Sequence, residues 1–205
     1  QGEPLDVAEA LKIILEVAQG IQAAHNLNPP IIHRDIKPNN ILYNQKASDV
    51  KIIDFGIACM LPAPEEISRS ISKISGSVIA KNIAGTWGYM SPEQQRGERS
   101  LTPQSDVFAL GKTLMFLLTG KTPPPENIFA LKPEIRDIVG ELVGYCLMPR
   151  SEERYTIEQV IEKIKEAQEN VSKKGQKLVS PIYATIDEPV QQEDVVEEIS
   201  ELTEE

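Results

Sequence analysis

Two stretches, Ile31 to Leu42 (IIHRDIKPNNIL) and Ile52 to Gly56 (IIDFG), restrict this chain more than anything else in it. Each is an apolar run that ends in a polar loop. The first loop supplies Asp35, Lys37 and Asn40, and the second supplies Asp54. A single Asp or Asn in a loop is ordinarily a turn residue or a helix cap. The spacing here says more. Asp35 and Lys37 stand two residues apart, so in extended backbone both side chains leave on one side. Asn40 offers a neutral carbonyl oxygen and Asp54 an ionised carboxylate. Such a small set of hard oxygens suits a Mg²⁺ that completes its shell with phosphate and water. A carboxylate to accept a hydroxyl proton, a cation for the transferring oxygens and two metal donors are the parts that phosphoryl transfer requires.

HRD with an Asn five residues after its Asp, followed by DFG, is a signature of protein kinases. On His33-Arg34-Asp35, Lys37, Asn40 and Asp54-Phe55-Gly56, the chain resembles the C-terminal lobe of eukaryotic-like serine/threonine protein kinases. HRDIKPNN with DFGIA is most similar to the bacterial members, and the resemblance runs from about Leu5 to Ala167. It implies an α+β fold, a mainly helical C-lobe with a small β-hairpin carrying the catalytic and DFG loops. It also implies ATP and Mg²⁺ as cofactors. Asp35 and Lys37 are then the catalytic pair. Lys37, Asn40, Leu42 and Asp54 contact the nucleotide, with Leu42 as the floor of the adenine pocket. Asn40 and Asp54 hold the metal. Lys37, in place of an Arg-rich version of the loop, favours Ser/Thr substrates.

The same resemblance assigns Ile57 to Ala84 to an activation segment closed by GTWGYMSPE, Gly85 to Glu93. Ser91 stands where an Ala is usual. Thr86 is expected beside Asp35 and Lys37. Arg34, next to Asp35, is the arrangement of kinases switched by phosphorylation, since a phosphate suits an Arg partner. Ser70, Ser72, Ser75 and Ser77 are the candidate phosphosites. His33 takes a scaffold role, Asp106 is expected to hydrogen-bond the catalytic-loop backbone, and Glu93 with Arg154 to form a buried ion pair. On the residues alone, Asp106 at a helix start is simply well placed for the helix dipole.

The formal charge is −10, and it is uneven. From Leu178 onward there are nine acidic residues and no Lys or Arg, which leaves the rest near −1. No basic stripe argues for nucleic acid or for anionic lipid. Apolar runs fall far short of a bilayer span, so no membrane segment is expected. Cys59 and Cys146 are far apart in sequence and lack a metal spacing, so they read as reduced thiols of a cytoplasmic chain.

Along the chain, Asp6 to Ala24 shows helical apolar spacing from Val7 to Ala24, with Asp6 and Glu9 at capping-box positions. His25 ends it, where a histidine suits the dipole. Ile41 to Tyr43 and Val50 to Ile53 read as a hairpin bearing Asn40 on one end and Asp54 on the other. Lys51 alternates outward. Thr102 to Thr119 reads as a central buried helix with Thr102 as cap, Pro103 at its first position and Gly120 at its end. Lys121 to Pro133 is Pro-rich and admits only a short turn near Glu126 to Leu131, where the resembled family has a longer helix that docks substrates. Pro133 to Cys146 and Thr156 to Ala167 are amphipathic helices. Residues 1–172 are read as the lobe, and 173–205 as an acidic, disordered tail. Val195, Ile199 and Leu202 make one helical stripe within that tail.

No glycine-rich phosphate loop and no strand lysine precede this lobe. The chain is thus expected to lack the N-lobe, to be a fragment that opens at Gln1, and to need that lobe upstream for activity. The principal reading is the C-lobe of an active kinase of protein substrates. A pseudokinase or scaffold module that binds a protein partner is the alternative, and a small-molecule phosphotransferase a third.

Overall fold

The computed structural model describes residues 3–44, 49–55, 86–98, 100–122 and 124–179. The chain divides into two units, residues 1–171 and 172–205. The first is built on two long helices. Helix α1 spans Val7–His25, and Asp6 caps it by accepting the Ala8 N–H at 2.9 Å. Glu9 accepts from the Tyr43 hydroxyl at 3.2 Å. The apolar spacing read from the sequence becomes the buried row Leu11, Ile14, Val17, Ala18 and Ile21.

The chain then enters a 3-10 turn, Pro38–Asn40, and a two-stranded antiparallel hairpin of β1 (Ile41–Asn44) and β2 (Asp49–Ile52). The second strand starts one residue earlier than expected and excludes Ile53. The register pairs Ile41 with Ile52 and Leu42 with Lys51. Alternation turns Ile41, Tyr43, Val50 and Ile52 toward the core and leaves Leu42, Asn44, Asp49 and Lys51 exposed.

A short helix α2 (Pro92–Gln95) precedes the central helix α3 (Pro103–Thr119). Pro103 and Gly120 bound α3 as expected, and Gly120 takes the left-handed conformation (φ 64°) that glycine adopts without steric cost. Thr102 sits at the cap position, but its side chain makes no capping bond; its carbonyl accepts the Ser105 N–H at 2.9 Å instead. Val107, Leu110, Leu114, Met115 and Leu118 are buried, most of them against α1 and α4 (Pro133–Cys146). Each such side chain contributes about 1.5–3 kcal/mol on leaving water. Between α3 and α4 the described residues of the Pro-rich stretch form one 3-10 turn, Ile128–Ala130.

The last helix, α5, runs Ile157–Val179, well past the expected end at Ala167. Its start carries the capping box read from the sequence: the Thr156 N–H donates to Gln159 Oε1 at 2.8 Å, and the Gln159 N–H donates to Thr156 Oγ1 at 3.4 Å. Its residues 173–179 fall within the stretch expected to be disordered tail. No helix among the described residues is long and apolar enough to cross a membrane.

Two helical glycines mark close approaches, one to a helix and one to a strand. A Cβ on Gly111 would lie 2.6 Å from the Cβ of Cys146 and 3.1 Å from Leu147 Cδ2, across the α3–α4 contact. A Cβ on Gly20 would meet only the mobile end of Ile52, Cδ1 at 2.9 Å. Replacing a helical glycine by alanine gains about 0.5–1 kcal/mol of chain entropy, whereas forcing a methyl into a packed contact costs about 1–3 kcal/mol. Gly20→Ala is therefore expected to leave the urea midpoint unchanged or raised, and Gly111→Ala to lower it.

Candidate active site

The site is assembled on one buried carboxylate. Asp106, in the first turn of α3, is fully buried. Its Oδ2 accepts the His33 N–H at 2.8 Å and pairs with His25 Nε2 at 2.8 Å; its Oδ1 accepts the Arg34 N–H at 2.8 Å. Successive backbone amides of the HRD loop are thereby bolted to the central helix. Arg34 adopts φ 70°, a left-handed conformation that costs a non-glycine residue roughly 1–2 kcal/mol. The bond from the Arg34 N–H to Asp106 on one side of its Cα, and the bond its carbonyl accepts from Gln94 on the other, hold that conformation in place.

His33 is buried and works in two directions. Its Nε2 lies 3.0 Å from the Ile53 carbonyl, and its Nδ1 accepts the Asp35 N–H at 3.3 Å. One tautomer, protonated at Nε2, satisfies both bonds. Its ring lies 4.5 Å from that of Phe55. The Asp35 loop is therefore joined to the strand end that carries Asp54.

Asp35 Oδ2 accepts from Lys37 Nζ at 2.7 Å and from Asn40 Nδ2 at 2.9 Å. The same Asn40 nitrogen donates to the Asp35 carbonyl at 2.8 Å. Lys37 Nζ also donates to Thr86 Oγ1 at 3.0 Å, so the amine links Asp35 to the residue expected beside it. Asn40 closes the open end of the hairpin, where its carbonyl accepts the Ile53 N–H at 3.0 Å. Asp54 follows directly, exposed and at φ 63°. Leu42, 53% exposed, is not a core residue.

These residues can be tested for Mg²⁺ and ATP on what the structure shows. Asn40 commits its nitrogen to Asp35, which leaves its side-chain oxygen as the remaining donor to a metal. Asp54 holds an exposed carboxylate at the same end of the hairpin. Among the described residues, no three His, Cys, Asp or Glu side chains could hold a metal by themselves. A metal here would depend on phosphate oxygens for most of its shell, as Mg²⁺ in nucleotide sites does. The donor set fits.

Glu93 and Arg154 lie at the foot of the site. Arg154 Nη1 and Nη2 donate to Glu93 at 2.6 and 2.8 Å. The remaining guanidinium N–H groups reach the carbonyls of Met148, Gln104 and Pro149, so all five donors are used. Ser105 Oγ donates to Glu93 at 2.8 Å. Burial alone would raise the Glu93 carboxyl, but the bonds from Arg154, its own backbone and Ser105 outweigh it and hold it down to about 2.

Two partners were not foreseen. Gln94 donates to the Arg34 carbonyl at 2.7 Å while its Oε1 accepts from the Ser91 N–H at 3.0 Å. The signal for the second bond was present in Ser91-Pro92-Glu93-Gln94, a capping-box spacing. His25 was read only as a helix end; its bond to Asp106 spans 81 positions and has no local signature. Gly56, Cys59, the activation stretch to Gly85 and the candidate phosphosites Ser70, Ser72, Ser75 and Ser77 lie outside the described residues. Cys146 is a free, buried thiol, pushed up to about 12 by that burial.

Residues 1–181 match the family model for the protein kinase domain, and the chain belongs to that family. It is 31% identical over 189 residues to a leucine-rich repeat receptor-like serine/threonine-protein kinase of Arabidopsis thaliana, covering 78% of this chain and 20% of that one. It is 39% identical over 131 residues to the serine/threonine-protein kinase AfsK of Streptomyces griseus, covering 60% of this chain and 14% of that one. The crystal structure of the Mycobacterium tuberculosis PknI kinase domain superposes with a TM-score of 0.59 at 23% identity, over 80% of this chain and 56% of that one. The chain spans about a quarter or less of the length of these curated relatives.

Removing one member of a buried ion pair leaves an uncompensated charge and costs about 3–5 kcal/mol. Arg154→Ala is expected to lower stability by that order in urea unfolding. The Glu93 carboxyl is lowered in the folded state, so its contribution is complete above the ordinary carboxylate range. It is lost as pH falls from about 4.5 toward 2. Acid unfolding of Arg154→Ala should lack that component.

Proposed function

We propose that this chain is the C-terminal lobe of a serine/threonine protein kinase that transfers the γ-phosphoryl group of ATP to protein Ser or Thr hydroxyls. The observation that carries the reading is the hydrogen-bonded set Asp35, Lys37, Asn40 and Thr86. Asp35 is the group to orient the substrate hydroxyl and accept its proton. Lys37 has three N–H donors, of which Asp35 and Thr86 take two, and the third would serve a phosphate oxygen. Asn40 and Asp54 would hold the metal, whose chemistry is to neutralise charge on the transferring phosphate. Leu42, exposed on the hairpin face, would underlie the adenine. Thr86 ties this group to the segment that presents the substrate, and Arg34 would receive a phosphate on the activation segment.

A scaffold or pseudokinase role finds less support, because a chain without phosphoryl transfer has no chemical need for all four groups. The lobe is read as residues 1–172, the protein as cytoplasmic, and an N-lobe as the missing half of the nucleotide cleft. The 205 residues alone are then expected to transfer no phosphate. Loss of a positioned general base costs about 10²–10⁴-fold in rate. In the protein with its N-lobe, Asp35→Asn should lower kcat by that order in a radiolabelled phosphate transfer assay, with nucleotide affinity nearly unchanged. Unchanged turnover in Asp35→Asn would remove the proposed role.

A further inference from the structure

A cavity of about 610 Å³ lies between α3, the Pro-rich loop and the segment after Thr86. That volume falls within the roughly 300–1,000 Å³ of small-molecule sites. Trp87, Phe108, Pro124, Pro125 and Leu147 give it apolar walls, and Lys112 brings a cation to it. Lys112 is unusual for its place. It is 5% exposed on a helix whose buried side chains are mostly apolar, and an ammonium is rarely buried without a counter-charge. Its Nζ donates to the Pro124 carbonyl at 3.0 Å and to the Pro125 carbonyl at 3.3 Å, both neutral acceptors. Glu126, the acid that lines the same cavity, is exposed.

Burial draws the Lys112 amine below its ordinary range, and the Glu126 charge opposes that shift. The amine has three N–H donors and the two proline carbonyls take two, so one remains for a ligand. A phosphate, with three strong acceptor oxygens, is better matched by the planar fork of an arginine. One residual donor beside aromatic and proline walls is matched by one carboxylate on an apolar ring.

We propose that this cavity is a binding site for a small aromatic monocarboxylate, with Lys112 holding the carboxylate and Trp87 and Phe108 packing on the ring. The site adjoins Trp87, one residue from Thr86, whose hydroxyl is bonded to Lys37. The proposal does not rest on the kinase reading, and its test measures binding alone.

Trp87 is the single tryptophan of the 205 residues, so its fluorescence reports the cavity directly. The probe is 2-naphthoate, with uncharged 2-naphthamide as its control. A hydrogen bond to a charged group contributes about 1.5–3 kcal/mol, so the carboxylate should bind at least roughly tenfold more tightly than the amide. Lys112→Met, which keeps the volume and removes the charge, should abolish that preference. Because loss of a buried amine can also disturb folding, the second variant is Glu126→Gln, on an exposed residue; it should tighten naphthoate binding severalfold. Saturable quenching with that preference and that gain supports the site. Equal affinity for acid and amide, no saturable quenching, or a Glu126→Gln protein that binds no better overturns it.

Discussion

A carboxylate cut off from water, Asp106, accepts two consecutive backbone amides and faces a histidine nitrogen. A carboxyl group in such a place is tolerable only when its oxygens are hydrogen-bonded, and here both are. The consequence is geometric. The loop from His33 to Asn40 takes its position from the first turn of the most buried helix, and the loop's own propensities have little to do with it. Asp35, Lys37 and Asn40 inherit the rigidity of α3.

The same turn anchors the second half of the site. Ser105, the neighbour of Asp106, donates to Glu93, and the Gln104 carbonyl accepts from Arg154. Gln94, between them, reaches the Arg34 carbonyl. Three consecutive residues of one helix thus fix both the loop that bears Asp35 and the segment that ends in Glu93. Lys37 joins the two halves at the top by contacting Asp35 and Thr86 together. Segments far apart in sequence form one set because each is hydrogen-bonded to the same few residues.

Much of this was legible beforehand. Periodicity and caps placed α1, α3 and α4 to within a residue, because their apolar rows face one core. The hairpin was read from two short β-branched runs with Asn40 and Asp54 at its ends, and the structure bonds Asn40 to Ile53, the residue before Asp54. What the sequence hid depends on distance or on backbone. His25 reaches Asp106 across most of the lobe, and no local pattern encodes that. Lys112 bonds to carbonyls, which have no letter of their own. The end of α5 was misread for another reason. Ser172 and Gly175 resemble a stop, yet glycine inside a helix costs only about 1 kcal/mol relative to alanine. The helix runs past both to Val179.

Two residues at the site, Arg34 and Asp54, carry left-handed backbone without being glycine. Neither conformation is one the chain would choose in isolation, and each costs on the order of 1–3 kcal/mol. The working shape of the centre is therefore borrowed rather than intrinsic. It behaves like a bent spring clamped at its ends: loosen one clamp and the recoil acts on both loops at once. Damage at a buried anchor would therefore be felt at the surface as a coordinated collapse of the whole centre, never as the slow fraying of one side chain.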